Sequence, residues 1–419
     1  MANETCAHID AIPTGEHSEV VTPVGTNNKI FALPRNIFLL GLASLFNDFS
    51  SEMVFSIFPA FFTSVLKAGA QSLGLVDGIA EAASNFFKIY SGNISDRYQR
   101  RKPLIISGYA LSVLTRPFYA VFPSVAGVLG LRFLDRVGKG LRDSPRDAII
   151  SLSADRAALG MSFGYHRAMD TIGAILGPLA AYLLLRFFPL RFNLVFATAF
   201  IVGLLAIFSL YFISDLRAKV ERNPLSLSAS FRALPARFKI FLLSVFLLST
   251  GSLPVVVLLL KSSALHLTIA DVPLFYMIYN MAYAGFSIPA GKVSDRLGAW
   301  MVIPIGYTTL LIAYLALHLA SGPWTVAAGF FLLGLFPAFT DGVQRSLASQ
   351  ITGEEIRGVA LGSLNAATGF GALFVGIGGG YLWQARGPGT TFLVASSLVI
   401  LGLLLFSYSK SEPPARVKG

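Results

Sequence analysis

Four groups of ionisable residues recur at helical spacing in the first half of this 419-residue chain. Asp48 and Glu52 stand at i, i+4, flanked by Asn47, Ser50 and Ser51. Asp77, Glu81 and Lys88 fall at i, i+4 and i+11; Arg132, Asp135, Arg136 and Lys139 at i, i+3, i+4 and i+7; His166, Arg167 and Asp170 lie within about one turn. Such intervals place residues on one face of a helix. All four groups sit in long apolar runs, where charge is expensive, so they must converge inside a bundle or on a water-filled cavity. The chemistry they suit is proton exchange. Desolvation favours a protonated acid, and a nearby Arg favours the carboxylate. A carboxylate whose Arg neighbour comes and goes with conformation therefore takes up and returns a proton near neutral pH. Glu52, about mid-span, is the first choice, with Asp48 second and Arg132 as partner. Asp77 and Glu81 follow, although a place near the outer end of the second span also suits a gating or solvated role. Arg132–Asp135 and Arg167–Asp170 fit a structural ion-pair network equally well. His166 reads as a member of that network or as a pH-sensing group.

The elements that must position these groups are membrane-spanning helices. Of the chain, 54% is hydrophobic and only 13% charged. Runs of about 18 or more apolar residues read as spans. Twelve are expected, near 36–66, 71–93, 103–121, 124–142, 161–186, 192–214, 238–261, 271–293, 300–320, 323–344, 358–384 and 389–409. The third and fourth are separated only by Pro123-Ser124. With an even number of spans, 23 of the 33 Lys and Arg residues fall in loops on the side of the chain ends. Five (Lys67, Arg186, Arg191, Lys261, Arg386) fall on the other side, and five (Lys88, Arg116, Arg132, Arg136, Arg167) within spans. That is the positive-inside pattern, which implies a multi-pass protein of the cell's inner (plasma) membrane with both termini cytoplasmic. The net charge of +11 is accounted for by topology and needs no nucleic-acid partner.

The expected organisation is a cytoplasmic tail over 1–33, a six-helix bundle over 34–214, a linker over 215–237, a second six-helix bundle over 238–409 and a tail over 410–419. The linker, polar and Pro-containing, suits a segment lying partly on the membrane surface. The first apolar run is far longer than a signal-peptide core, so no cleavage is expected. A single cysteine, Cys6, excludes an intramolecular disulfide framework; with His8 it forms at most half a metal site, and a solvated tail is the plainer reading.

The halves are related. GNISDR at Gly92–Arg97 returns as GKVSDR at Gly291–Arg296, and Gly108-Tyr109 returns as Gly306-Tyr307. A charged turn repeated at half-chain spacing points to parallel structural repeats. The extended pattern Gly92, Asp96, Arg97, Arg100, Arg101, with its second copy at Gly291, Asp295 and Arg296, resembles the signature loop of the major facilitator superfamily. An Asp there can pair with Arg or a helix N-terminus of the opposite bundle and hold one conformation. The resemblance implies an all-α polytopic protein of twelve transmembrane helices in two pseudo-symmetric bundles. RFLD at Arg132–Asp135 is similar to the superfamily's helix-four Arg-x-x-Gln-Gly motif, with Asp135 and Arg136 in the last two places, which implies a proton-coupling role for Arg132. GAILGPLAA, with Gly173, Gly177 and Pro178, resembles the antiporter motif of the fifth helix, with Ala180 and Ala181 where the family has glycines. It implies export; small residues and Pro also suit plain tight packing.

The family's cavity-lining helices imply a substrate site near Phe55, Phe58, Ser249, Thr250, Phe336, Phe339 and Gln344, an aromatic wall suited to an amphipathic molecule or equally to packing. GKGLR at Gly138–Arg142 lacks the earlier glycine of a phosphate loop, Phe133 standing in its place, so no ATP-driven engine is visible. No nucleophile–base set or metal cluster appears, and neither an enzyme nor a cofactor is expected. The expected activity is proton-driven export of a small organic compound by alternating access, by a monomer. The alternatives are proton-coupled uptake of an anionic or nutrient substrate, or a non-transporting receptor on the same fold.

Overall fold

In a computed structural model of the chain, the described residues are 29–30, 33–98, 100–154, 158–215, 234–263, 268–352 and 357–411. The first half forms α1 (Arg35–Ser64), α2 (Ala70–Tyr98), α3 (Arg101–Val121), α4 (Val125–Ser153), α5 (Leu159–Phe187) and α6 (Phe192–Tyr211). The second forms α7 (Ala236–Thr250), α8 (Val272–Leu297), α9 (Ala299–Leu319) and α10 (Pro323–Thr352), then Arg357–Ser411. That last stretch is broken at Gly387, whose φ of 82° is open to a glycine, and Pro388 follows, so it comprises α11 (357–386) and α12 (388–411). The twelve helices make the all-α, two-bundle architecture expected from the repeat.

Helix ends follow local chemistry. Pro34 and Pro235 precede α1 and α7, and Ser124 caps α4 by accepting from the Gly127 N–H at 3.0 Å. The seventh span is interrupted after Thr250 and resumes in two short turns, Val255–Leu258 and Leu260–Ser263. The Tyr314 hydroxyl of α9 accepts from the Leu253 N–H at 2.7 Å and donates to the Gly251 carbonyl at 2.9 Å, satisfying backbone groups that the break releases.

Eight of the described helical segments are long and apolar enough to cross a membrane, with α7 counted through Leu258 and α11 and α12 counted together. The remaining three, α2, α4 and α8, carry more polar and charged residues. The sequence-based ends of four helices need correction. α2, α4, α8 and α10 run past 93, 142, 293 and 344, so Arg142 and Arg146, expected in a loop, are helical and half-buried to buried. They remain helical because their charges are matched by Asp143 inside the bundle.

One end of the molecule gathers α1, α6, α7 and α12. The Asn36 amide donates to Ser153 and to the Ser214 carbonyl, and Arg237 donates to the Ser409 carbonyl at 3.1 Å. We call this the basic face. At the far face the bundles meet tightly. A Cβ on Gly376 of α11 would lie 2.5 Å from the Gly74 carbonyl oxygen and 2.6 Å from the Gly78 Cα, so α2 and α11 approach backbone to backbone.

Candidate functional site

The charged stripes of α2 and α4 face each other. Arg132 is buried, pairs with Asp135 at 3.0 Å and with Asp77 at 3.7 Å, and lies 4.6 Å over the Phe55 ring and 5.5 Å over Phe58. Arg136 pairs with Glu81 at 3.6 Å, and Asp143 collects Lys88 at 3.2 Å, Arg146 at 3.5 Å and Arg142 at 4.0 Å. Arg142 also covers the Tyr109 ring at 4.4 Å and donates to Ser112. Arg116 of α3, fully buried, donates to Ser50 at 2.5 Å and to the Asn47 side chain at 2.9 Å, which ties α3 to α1 beside the acids of that helix. A water-sized cavity between α1, α3 and α4 is lined by Ser51, Thr115, Arg116, Arg132 and Asp135 together with Val54 and Tyr119.

The acids of α1 take other neighbours. Asp48 accepts from Asn47 at 3.1 Å. Glu52 faces Tyr276 of α8, and its Oε2 is buried with no hydrogen-bond partner among the described residues. Both lie against the small-residue face of α5. A Cβ on Gly173 would meet the Asp48 Cβ at 3.2 Å, and one on Gly177 the Glu52 Cβ at 2.8 Å. On α5, Asp170 accepts from Ser44 and lies 3.5 Å from His166. Three residues of α8 then touch or face the first bundle. Tyr276 packs on Phe55 at 5.2 Å, the Asn280 amide donates to the Ala174 carbonyl at 3.0 Å, and the Tyr283 hydroxyl accepts from Arg167 and donates to Asp341 of α10 at 2.9 Å.

Openness differs between the faces. Phe55, Tyr276 and Asn280 are buried, while Arg167 and Asp341 are exposed and a Cβ on Gly164 or Gly342 would meet nothing within 4 Å. Charged groups are costly against hydrocarbon, so the exposed sides of Arg167 and Asp341 suit contact with water.

The sequence profile of the Major Facilitator Superfamily matches residues 40–260 and 240–419. The chain belongs to this superfamily. Among its relatives is an MFS-type transporter of Methanocaldococcus jannaschii, MJ1317, 34% identical over 89% of this chain and 94% of the relative. The multidrug resistance protein MdtG of Salmonella paratyphi A is 22% identical over 84% of this chain and 94% of its own length. Among solved structures, the nucleoside transporter NupG superposes with a TM-score of 0.74 at 14% identity, covering 90% of this chain and 100% of that one. A bacterial homologue of the lysosomal transporter Spinster, inward-facing and unoccupied, gives 0.70 at 12% identity over 89% and 96%. At such identity the structures speak for the fold alone. This major facilitator protein is thus a multi-pass secondary transporter and not an enzyme.

Several expected pairings take a different form. Arg132, expected beside Glu52, is matched by Asp77 and Asp135, since residues three apart on one helix meet directly and α2 packs on α4. Asp77 and Glu81 therefore face arginines of α4. Arg167 and Asp170 turn to Tyr283 and to Ser44 and His166. A Cβ on Gly92 would lie 3.6 Å from the Ser144 Cβ, and the Arg101 N–H donates to Asp215 at 3.2 Å; Arg100, Asp295 and Arg296 are exposed, and a Cβ on Gly291 would meet nothing within 4 Å. The side chains of Asp96 and Arg97 lie outside the described residues, as do the tail bearing Cys6 and His8 and the linker over 216–233. Of the expected cavity residues, Phe55 lies at the bundle interface and Phe58 packs on Tyr119 at 5.4 Å. Ser249 abuts Gly371, the Thr250 hydroxyl donates to its own helix at 2.8 Å, Phe336 packs on Tyr307 at 5.0 Å, Phe339 adjoins Gly306, and Gln344 donates to Tyr307 at 2.9 Å. These five pack within the second bundle.

Sequence reasoning missed Tyr276, Tyr279, Asn280 and Tyr283. Their signal was an i, i+3, i+4, i+7 face in FYMIYNMAYAG, hidden among 14 Tyr and 35 Phe.

Proposed function

We propose that this transporter exports a small organic compound from the cytoplasm in exchange for protons, with Glu52 as the principal proton carrier and Asp48 its neighbour on the same stripe. The observation that carries this reading is the buried Glu52 oxygen without a partner among the described residues, set where α1, α5 and α8 meet. An intramembrane acid with no ion-pair partner among the described residues, while Asp77, Glu81 and Asp135 all have arginine partners, is free to bind a proton or a solute group. Rocking of bundles 34–214 and 238–409 about the closed far-face seam would expose Glu52 to each side in turn. The basic face is then the cytoplasmic one. Kinship with MdtG, named for multidrug resistance, and the glycine face of α5 support export.

The test is solute movement in proteoliposomes under an imposed pH gradient, across a panel of lipophilic compounds and metabolites. Solute moving against the proton flux supports export by exchange; solute accumulating with the proton flux selects uptake instead.

A further inference from the structure

A carbonyl in an α-helix normally accepts from the N–H four residues on, and a proline at that place has none to give. On α5 the place is filled by Pro178, so the carbonyl of Ala174 is released in the middle of a spanning helix. Hydrocarbon offers it no partner, and it has to find one in protein or water. It finds one in the other bundle. The amide of Asn280 on α8 donates to it at 3.0 Å, and Asn280 is itself buried. Pro59, Pro117, Pro145, Pro289, Pro304 and Pro337 also lie inside helices. Among the described residues, only the carbonyl released by Pro178 accepts from a side chain of the opposite bundle.

The bond sits where the register of the two helices matters. Ala174 lies three residues before Gly177, which abuts Glu52, and Asn280 lies four residues after Tyr276, which faces Glu52. Small and aromatic side chains slide past one another at little cost, whereas an amide and a carbonyl meet at one register.

We propose that Pro178 and Asn280 form a two-part latch between the bundles: the proline strips the Ala174 carbonyl of its helical donor, and the Asn280 amide takes that donor's place only while the far face is closed. Asn280 is thereby a positioning residue, which sets Tyr276 against Glu52 through the register of α8 on α5. The ion pairs of Arg132, Arg136 and Asp143 lie within the first bundle and travel with it. The Asn280 bond crosses between bundles, so the relative movement that transport requires must stretch it. Opening the far face leaves an amide and a carbonyl seeking new partners in a dry interior, a cost that favours the closed state. Water or solute entering between the bundles relieves it. The latch does not depend on which way solute or protons move, so it can fail while the exchange reading stands, and the reverse.

The experiment measures the ratio of open to closed far faces at one pH, with no ligand added. Full-length protein with Cys6→Ser carries spin labels at Phe122→Cys and Ser321→Cys, both exposed, at the far-face turns between α3 and α4 and between α9 and α10. Distance distributions in lipid nanodiscs give the two populations. Asn280→Leu, close in volume but without a donor, should raise the ratio of open to closed about threefold to tenfold. Pro178→Ala restores a helical donor to Ala174, so Asn280→Leu added to it should move the ratio by less than about twofold. Asn280→Ser serves if Asn280→Leu does not fold, because its hydroxyl stops a bond short of the amide nitrogen. An unchanged ratio in the Asn280 variant overturns the latch. So does a shift of equal size in the wild-type and Pro178→Ala backgrounds, which would mark Asn280 as ordinary packing.

Discussion

Gly177 of α5 and Glu52 of α1 are in direct apposition: a Cβ added to the glycine would lie 2.8 Å from the Cβ of the acid. The antiporter-like motif and the leading proton-carrier candidate are therefore one structural unit. A methyl group at Gly177 would also press on the Phe49 carbonyl, at 2.6 Å. We expect Gly177→Ala to lower coupled transport at least as much as it lowers stability, about 1–3 kcal/mol for overpacking, because it displaces Glu52 from Tyr276. Transport rate and thermal unfolding measured together check this. Full coupled transport in a destabilised variant would separate the motif from the acid.

Arg132 holds two carboxylates at once. Arg132→Ala should cost about 3–5 kcal/mol, the expense of leaving buried charge unmatched. Much of that should return in Arg132→Ala combined with Asp135→Ala. A double-mutant cycle on unfolding in detergent measures the coupling; strictly additive losses would mean that the pair contributes no mutual stabilisation.

Arg116 joins α3 to α1 through Ser50 and Asn47, which offer it neutral oxygens rather than a carboxylate. Arg116→Ala should destabilise by about 1.5–3 kcal/mol, the worth of a hydrogen bond to a charged group. Because α1 carries Asp48 and Glu52, transport should fall with it. The unfolding temperature decides the first point, and an unaltered value would mark Arg116 as dispensable to packing.

At the far face, Gly376→Val would drive a branched side chain into the Gly74 and Gly78 backbone. The seam should open, and a cysteine at Tyr276, buried here, should become reactive to a water-soluble thiol reagent. Continued protection of that cysteine would show that the seam is held by other contacts.

Much of this was legible beforehand. Apolar length gave the spans, and the stripes at Asp48/Glu52, Asp77/Glu81 and Arg132/Asp135 named the charged residues, because hydrocarbon leaves few places for them. Partner choice was not legible. Spacing puts Arg132 and Asp135 on one face but carries no information on whether α1 or α2 presents the next acid, which depends on how α2 packs against α4. The repeated Gly-Tyr pair shows the same limit. Tyr109 meets Arg142 at 4.4 Å, whereas Tyr307 meets Gln344 at 2.9 Å, so one backbone position serves a charged contact in one bundle and a neutral one in the other. The end of α4 was misjudged because charges beyond Arg142 continue the helix by pairing within it.

The most direct measurement is proton release from purified, weakly buffered protein on adding a transported compound, wild type against Glu52→Gln. Exchange through Glu52 predicts release from wild type and its loss in the variant. Undiminished release from Glu52→Gln would contradict the central assignment.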